Sequence, residues 1–196
     1  MRRPVRTSVL AVLASSLAVA GCGNDRTPAP DTATPLPPQG TALVRYPEAG
    51  VRFATPGRWD RAAGQAPLVA TVSSGRATVA VWRFARAEPL PAGAEDLRRA
   101  RRTLLAAARA RDPSFRRHPT RGVTTRRVGD LPALEVRGTG TVEGQARAVR
   151  SLHVYGFDGE VVVDALAPPA QFGRVDREVF GPMLRSVRLS APQGGP

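Results

Sequence analysis

Ser151 and His153 are the residues of this chain whose types and spacing come nearest to a catalytic arrangement. They stand two residues apart on a predicted β-strand and so share one face, and the carboxylates of Asp158, Glu160 and Asp164 follow after a turn. A serine nucleophile needs a histidine base and a carboxylate that orients the base. Neighbours on one strand rarely give nucleophile and base the required angle, so the pattern favours structural roles. We assign no catalytic residue from the sequence.

Metal and cofactor sites also lack a clear sequence signal. The two histidines, His118 and His153, have a spacing that matches no metal-ligand pattern. Gly138, Gly140 and Gly144 are spaced somewhat like a phosphate-binding loop, but they precede a predicted strand and lack the following lysine, which favours a hairpin. We therefore predict neither a metal nor a cofactor.

Cys22 closes the run Leu-Ala-Val-Ala-Gly-Cys at residues 17–22. Arg2, Arg3 and Arg6 precede an apolar stretch over residues 9–20, which is the layout of an export signal. The stretch is shorter than the about 20 apolar residues of a membrane span. The run resembles the lipobox of bacterial lipoproteins. That resemblance implies that Cys22 receives a diacylglycerol, that the signal is cleaved before it, and that acyl chains anchor the protein in a membrane.

Composition divides the chain into four segments. Residues 1–21 are the predicted lipoprotein signal peptide, and residues 22–40 are the lipidated cysteine and a linker whose five prolines favour an extended chain. Residues 41–190 form one predicted domain of ordinary size, and residues 191–196 form a disordered tail. Cys22 is the one cysteine in the sequence, so no intramolecular disulfide stabilises the domain.

Alternation of apolar and polar residues predicts a mostly antiparallel sheet of half-buried strands. The predicted strands are residues 42–46, 51–54, 68–73, 77–84, 134–137, 146–155, 160–166 and 187–189. The first two pairs are predicted hairpins, and the valine run at residues 161–163 predicts burial on both faces. Trp59 and Trp82 are predicted to lie in the core.

Two helices interrupt the strands. The first covers residues 93–111 and ends at Asp112-Pro113. Its apolar face is predicted to contain Leu97, Ala100, Leu104, Ala107 and Ala108. The second lies between residues 172 and 186, with Pro182 expected to kink or divide it. Its predicted buried stripe consists of Phe172, Val175, Val179 and Met183. Strands and helices together indicate the α+β class.

Three segments resemble landmarks of the PsbP and Mog1-like family, which includes small bacterial lipoproteins of the LpqN type. They are residues 51–59 (VRFATPGRW), 129–133 (GDLPA) and 183–189 (MLRSVRL). The resemblance spans about residues 41–190 and implies an α/β/α sandwich. Family members serve as accessory subunits in photosynthetic water oxidation, as partners of a nuclear GTPase, or in unassigned envelope roles. Because the matching segments are structural, the resemblance implies a fold and no activity.

Positive charge is concentrated in one stretch. The chain carries +13, and residues 98–127 contain eleven arginines against one acid, Asp112. A localised cationic surface attracts and steers anionic partners. The candidate binding residues are Arg98, Arg99, Arg102 and Arg109, on the polar face of the first helix. A merely solvated helix face is the alternative. No stacking aromatics interleave with these arginines, so we predict no nucleic-acid partner.

We therefore expect a non-enzymatic binding or accessory module, lipid-anchored on the extracytoplasmic face of a cell membrane. Its expected partner is an anionic lipid, a wall polymer or an acidic protein. The alternative is a carrier of an apolar small ligand, which requires a dry cavity of at least about 300 Å³. A hydrolase is the third hypothesis and requires Ser151, His153 and a carboxylate within hydrogen-bond reach. The sequence does not indicate an oligomeric state.

Overall fold

The computed structural model describes residues 33–193, so the predicted signal and Cys22 lie outside the described residues. The strands of this part are β1 (Thr41–Tyr46), β2 (Val51–Pro56), β3 (Asp60–Ala63), β4 (Leu68–Ser74), β5 (Ala77–Ala85), β6 (Arg116–Arg117), β7 (Val123–Val128), β8 (Leu131–Val142), β9 (Gln145–Gly156), β10 (Gly159–Ala167) and β11 (Arg188–Leu189). The helices are α1 (Ala94–Arg111), α2 (Pro169–Val175) and α3 (Gly181–Ser186).

The strands form two antiparallel sheets. The large sheet has eight strands in the order β3-β4-β5-β10-β9-β8-β6, with β7 also paired to β8. The small sheet has the order β1-β2-β11. Two tight turns fix the register of the central strands, because Glu143-Gly144 and Phe157-Asp158 all adopt positive φ, as two-residue hairpin loops require. The predicted α+β class with a mainly antiparallel sheet is confirmed.

Each face of the large sheet is covered, at least in part, by helix. The larger core lies among this sheet, the small sheet and the helices α2 and α3, and includes Phe53, Val154 and Phe180. A second core lies under α1 and includes Leu97 and Leu134. Strands β8 and β9 are therefore buried on both faces, and the prediction that they are half-buried was wrong. The layers form the expected α/β/α sandwich.

The C-terminal helix runs through Pro182 with a change of hydrogen-bond pattern. Residues 176–180 form a π-helical turn between α2 and α3, in which the Gly181 amide donates to the Asp176 carbonyl five residues earlier. A proline at position 182 lacks an amide hydrogen and crowds the preceding turn. The wider turn gives its ring room and separates α2 from α3 just before Pro182, which agrees with the predicted division of the helix. Val175, Val179 and Met183 are buried as predicted.

Some details differ from the sequence predictions. The short edge strands β3, β6 and β7 were not predicted. Ala107 is exposed and Trp82 is half-buried, whereas Trp59 is buried as predicted. The folded part also begins before residue 41, since the Trp59 indole donates to the Leu36 carbonyl at 3.1 Å. At the other end, the Gln193 amide donates to Pro47 at 2.8 Å, within the stretch expected to be a disordered tail.

Candidate functional site

The structure divides the arginine-rich stretch into two separate groups. The helix group includes the predicted binding residues Arg98, Arg99, Arg102 and Arg109, which are all exposed on α1. Arg98 lies 3.7 Å from Glu95, and Arg99 lies 3.7 Å from Asp96. Exposed pairs of this kind contribute little to stability, yet they offset half of the charge on this face. The helix face is therefore less cationic than the arginines alone suggested.

The second group borders a cleft at the β7 edge of the large sheet. One part of the cleft, of about 510 Å³, is lined by Arg121, Thr124, Thr125, Arg126, Arg127, Glu135 and Arg137. An adjoining part, of about 270 Å³, shares Arg126, Arg127 and Glu135 and adds Val128, Gly129, Arg150, Leu152, Leu184, Arg185 and Arg188. We call this the arginine cleft. It brings together side chains from β7, β8, β9, α3 and β11.

A buried carboxylate forms the floor of the arginine cleft. The Glu135 side chain is 3% exposed and accepts hydrogen bonds from three guanidinium groups. Its oxygens lie 2.7 Å from Arg137 Nε, 3.0 Å from Arg150 Nη2 and 2.9 Å from Arg126 Nε. Burial alone would raise the pKa of Glu135, but the hydrogen bonds and charges of Arg137 and Arg150 outweigh burial and lower it. Glu135 is therefore ionised at neutral pH.

Asp176 forms ion pairs with two of these arginines, Arg137 and Arg150. Its carboxylate lies 2.7 Å from Arg150 Nη1 and 3.0 Å from Arg137 Nη1. Asp176 is the first residue of the π-helical turn. Gly181 leaves room for the backbone of this turn, because a Cβ there would meet the Asp176 carbonyl oxygen at 2.9 Å. The ion pair with Asp176 fixes Arg150, whose side chain is 6% exposed, against the cleft floor.

Positive charge exceeds negative charge in this cleft. Seven arginines line it, whereas Glu135 and Asp176 are the carboxylates that pair with them inside the fold. Among the described residues, the Arg121 and Arg185 side chains pair with no acid, and the Nε of Arg150 is buried without a hydrogen-bond partner. The cleft therefore holds more guanidinium groups than carboxylates to pair with them.

Sequence reasoning missed most of this site. Alternation with Leu134 and Val136 predicts that Glu135 and Arg137 lie on the solvent face of a half-buried strand. The sequence does carry a signal at position 150. Arg150 lies two and four residues before Leu152 and Val154 on the predicted strand, so its side chain lies on the same, apolar face. An arginine at such a position needs buried partners. The identity of those partners depends on the packing of α2 and α3, which the strand pattern does not contain.

The sequence-predicted polar cluster is also assembled, on the opposite face of the large sheet. Ser151 Oγ lies 3.0 Å from His153 Nε2 and 2.5 Å from Asp164 Oδ1. The other ring nitrogen, His153 Nδ1, lies 2.7 Å from Glu160 Oε1. Arg86 pairs with the second oxygen of Glu160. The distance condition set for a hydrolase is thus met, since Ser151 and His153 lie within hydrogen-bond reach although they share one strand.

Other classes of site have less support within residues 33–193. In that part of the chain, no group of metal-ligating side chains is arranged to hold an ion. None of its helices combines the length and the apolar composition that a membrane crossing requires. The arginine cleft is lined mainly by charged side chains, so it gives no support to the hypothesis of an apolar-ligand carrier.

No protein-family model and no curated protein sequence matches this chain. Solved structures do share its fold. CyanoP, the cyanobacterial PsbP of Synechocystis sp. PCC 6803, matches with a TM-score of 0.58 at 10% identity, over 76% of this chain and 92% of that chain. LpqN, involved in cell envelope biogenesis of Mycobacterium tuberculosis, matches with a TM-score of 0.53 at 12% identity, over 77% and 91%.

The chain has a PsbP/LpqN-like fold. A Bacteroides thetaiotaomicron protein adds a TM-score of 0.52 at 10% identity, over 78% of this chain and 49% of that chain. At these identities the PsbP/LpqN-like fold is shared without any transfer of activity. The fold expected from residues 51–59, 129–133 and 183–189 is confirmed, while the lipid anchor stays a prediction.

Proposed function

We propose that the protein is a membrane-anchored module of the cell envelope that binds an anionic group in the arginine cleft. The anchor is the lipid expected at Cys22, and the partner is a phosphate or carboxylate of a lipid headgroup or wall polymer. The observation that carries the proposal is the excess of guanidinium groups in a concave site. No chemical step belongs to this binding role.

Concavity favours the cleft over the helix face as the binding site. Arg98 and Arg99 already face acidic neighbours on a convex, exposed surface. In the cleft, Arg121 and Arg185 are without such neighbours among the described residues. A planar guanidinium group can donate two parallel hydrogen bonds to one phosphate or carboxylate. Several such groups around a cavity strengthen the field on an anion, because charges in a cleft are screened less than charges on an open surface.

The cleft floor supports this role by keeping the arginines in place. Glu135 and Asp176 together fix Arg137 and Arg150, so these groups lose little freedom when an anion arrives. Threonine hydroxyls at positions 124 and 125 line the same cavity and can donate further hydrogen bonds. LpqN is described as involved in cell envelope biogenesis, and an envelope role for the present protein is consistent with that similarity.

Vesicle co-sedimentation tests the proposal. A Cys22→Ser protein, which cannot receive the anchor, is mixed with vesicles of phosphatidylglycerol and phosphatidylcholine or of phosphatidylcholine alone. The cleft variant Arg121→Gln/Arg185→Gln is compared with the helix variant Arg98→Gln/Arg102→Gln, which loses the same charge. At about 1 kcal/mol per arginine, the cleft variant loses about 30-fold in affinity for the anionic vesicles.

The helix variant should bind the anionic vesicles within about threefold of the parent protein, a difference of less than about 1 kcal/mol. Equal losses in the two variants would indicate general charge attraction and contradict a specific cleft. Failure of the parent protein to bind anionic vesicles, soluble phosphate or anionic wall polymer would reject the proposed function.

A further inference from the structure

The Ser151 cluster differs from an ordinary buried polar pair in that its contacts form one continuous chain. The order is Asp164, Ser151, His153, Glu160 and then Arg86. Both ring nitrogens of His153 are used, Nε2 towards the serine and Nδ1 towards the glutamate. This is the order of contacts that links nucleophile, base and orienting carboxylate in serine hydrolases of unrelated folds.

The series of contacts requires one hydrogen more than Ser151 and a neutral His153 provide. Three contacts need three hydrogens, while the Ser151 hydroxyl and a neutral His153 supply two. Arg86 pairs with Glu160 and favours its carboxylate form. Burial, with the charges of Arg86 and Arg111, lowers the pKa of His153 to about 4, and burial raises the pKa of Asp164. Burial therefore favours the neutral forms of both His153 and Asp164.

The Ser151 hydroxyl donates to Asp164 Oδ1, and His153 presents Nε2 to Ser151 Oγ and Nδ1 to Glu160 Oε1. The imidazole is neutral and ready to accept a proton from the serine. A neutral carboxylic acid beside Oγ is also a donor for an oxygen that becomes negative next to it.

We propose that Ser151, His153 and Glu160 form a nucleophilic site that accepts the acyl group of a carboxylic ester. Ser151 Oγ attacks the ester carbonyl carbon while its proton passes to His153 Nε2, and Asp164 donates a hydrogen bond to the resulting oxyanion. The carbon–oxygen bond to the leaving alcohol breaks, and His153 gives the proton to that alcohol. Water then attacks the acyl-serine with His153 as base, which releases the acid and restores Ser151.

The surroundings suit an ester with an apolar or aromatic group. Trp82 and Phe84 lie on β5, on the same face of the large sheet, and their rings stack with centroids 6.4 Å apart. Phe84 is 36% exposed, and Asp164 and Trp82 are half-buried, so this part of the face is open beside the second core. Ser151 itself is 6% exposed and lies beside the half-buried His153 and Asp164.

A serine-reactive probe tests this inference separately from anion binding. The folded full-length protein is treated with an alkyl fluorophosphonate, and the modified residue is identified by mass spectrometry. We expect one adduct, on Ser151, that is absent after heat denaturation. An adduct elsewhere, or no adduct, overturns the proposal, and this readout requires no variant to fold.

Variants then separate base catalysis from simple exposure of the serine. His153→Gln should slow labelling about 100-fold or more, because general-base catalysis contributes at least that factor. The matched controls are Ser190→Ala and His118→Gln, at exposed positions outside the cluster, and both should label at the parent rate. Because His153 stays neutral in the fold, the rate should remain level from pH 7 to about pH 5. A labelling rate that stays at the parent value in His153→Gln would overturn the assignment of His153 as the base.

Discussion

Replacing Glu135 by glutamine tests the structural basis of the arginine cleft. The side chains of Glu135 and Arg150 are 3% and 6% exposed, and Arg137 and Arg126 share the same carboxylate. Removing one partner from a buried ion cluster costs about 3–5 kcal/mol, because the remaining charges stay buried. Glutamine keeps one acceptor oxygen, so we expect the lower end, about 3 kcal/mol.

The expected change is large enough to measure by urea and thermal unfolding at pH 7, followed by circular dichroism. For a domain of this size, 3 kcal/mol corresponds to a decrease in Tm of about 6–12 °C. The matched control is Glu143→Gln in the exposed turn between β8 and β9, where the change should stay within about 0.5 kcal/mol.

The pH dependence provides a second test. The pKa of Glu135 is lowered in the fold, so its stabilisation is complete above the ordinary value of 4.5 and is lost as the pH falls through the folded pKa. The gap between parent and Glu135→Gln should therefore narrow in acid. Equal Tm values for Glu135→Gln and Glu143→Gln would refute the account of the cleft floor.

Two further predictions concern the buried histidine and the helix glycine. Because the pKa of His153 is about 4 in the fold against 6.5 ordinarily, its contribution is present above pH 6.5 and is lost as the pH falls towards 4. From pH 7 to pH 4 the parent should lose about 3 kcal/mol more stability than His153→Gln in urea titrations, and parallel pH profiles would contradict this. Gly181→Ala would force a Cβ to within 2.9 Å of the Asp176 carbonyl, so we expect a loss of about 1–3 kcal/mol in the same assay. Gly173→Ala, where the Cβ meets a flexible arginine at 3.7 Å, is the control and should be neutral or stabilising.

Local sequence patterns predicted the helices and strands well where the apolar residues of one face show how the element packs. The 3.6-residue spacing of Leu97 and Leu104 located α1, and the alternation on either side of Gly156 located β9 and β10. Pro182 was correctly seen as a disturbance of the helix. The outcome is a π-helical turn whose first residue, Asp176, pairs with the buried Arg150, a tertiary contact that the local pattern does not contain.

The candidate site was much less predictable. Arg121, Arg150 and Arg185 lie far apart in sequence and border one cleft because β9 pairs with β8 and Arg185 of α3 lies beside Arg150 and Leu152 of β9. The count of charges between residues 98 and 127 identified a cationic region. That count led to the prediction that anions bind on the α1 face, because the helical spacing of the arginines is visible in the sequence. A cleft formed by distant strands leaves no such pattern.

An NMR titration of the arginine side-chain Nε–Hε groups with inorganic phosphate tests anion binding in the cleft most directly. The account predicts saturable shifts for Arg121, Arg150 and Arg185, with the largest at Arg121 and Arg185, whose side chains pair with no acid among the described residues. The signals of Arg98 and Arg102 on α1 should move little. Shifts confined to the α1 arginines, or weak and unsaturating shifts across all of them, would contradict the claim that the cleft is the anion-binding site.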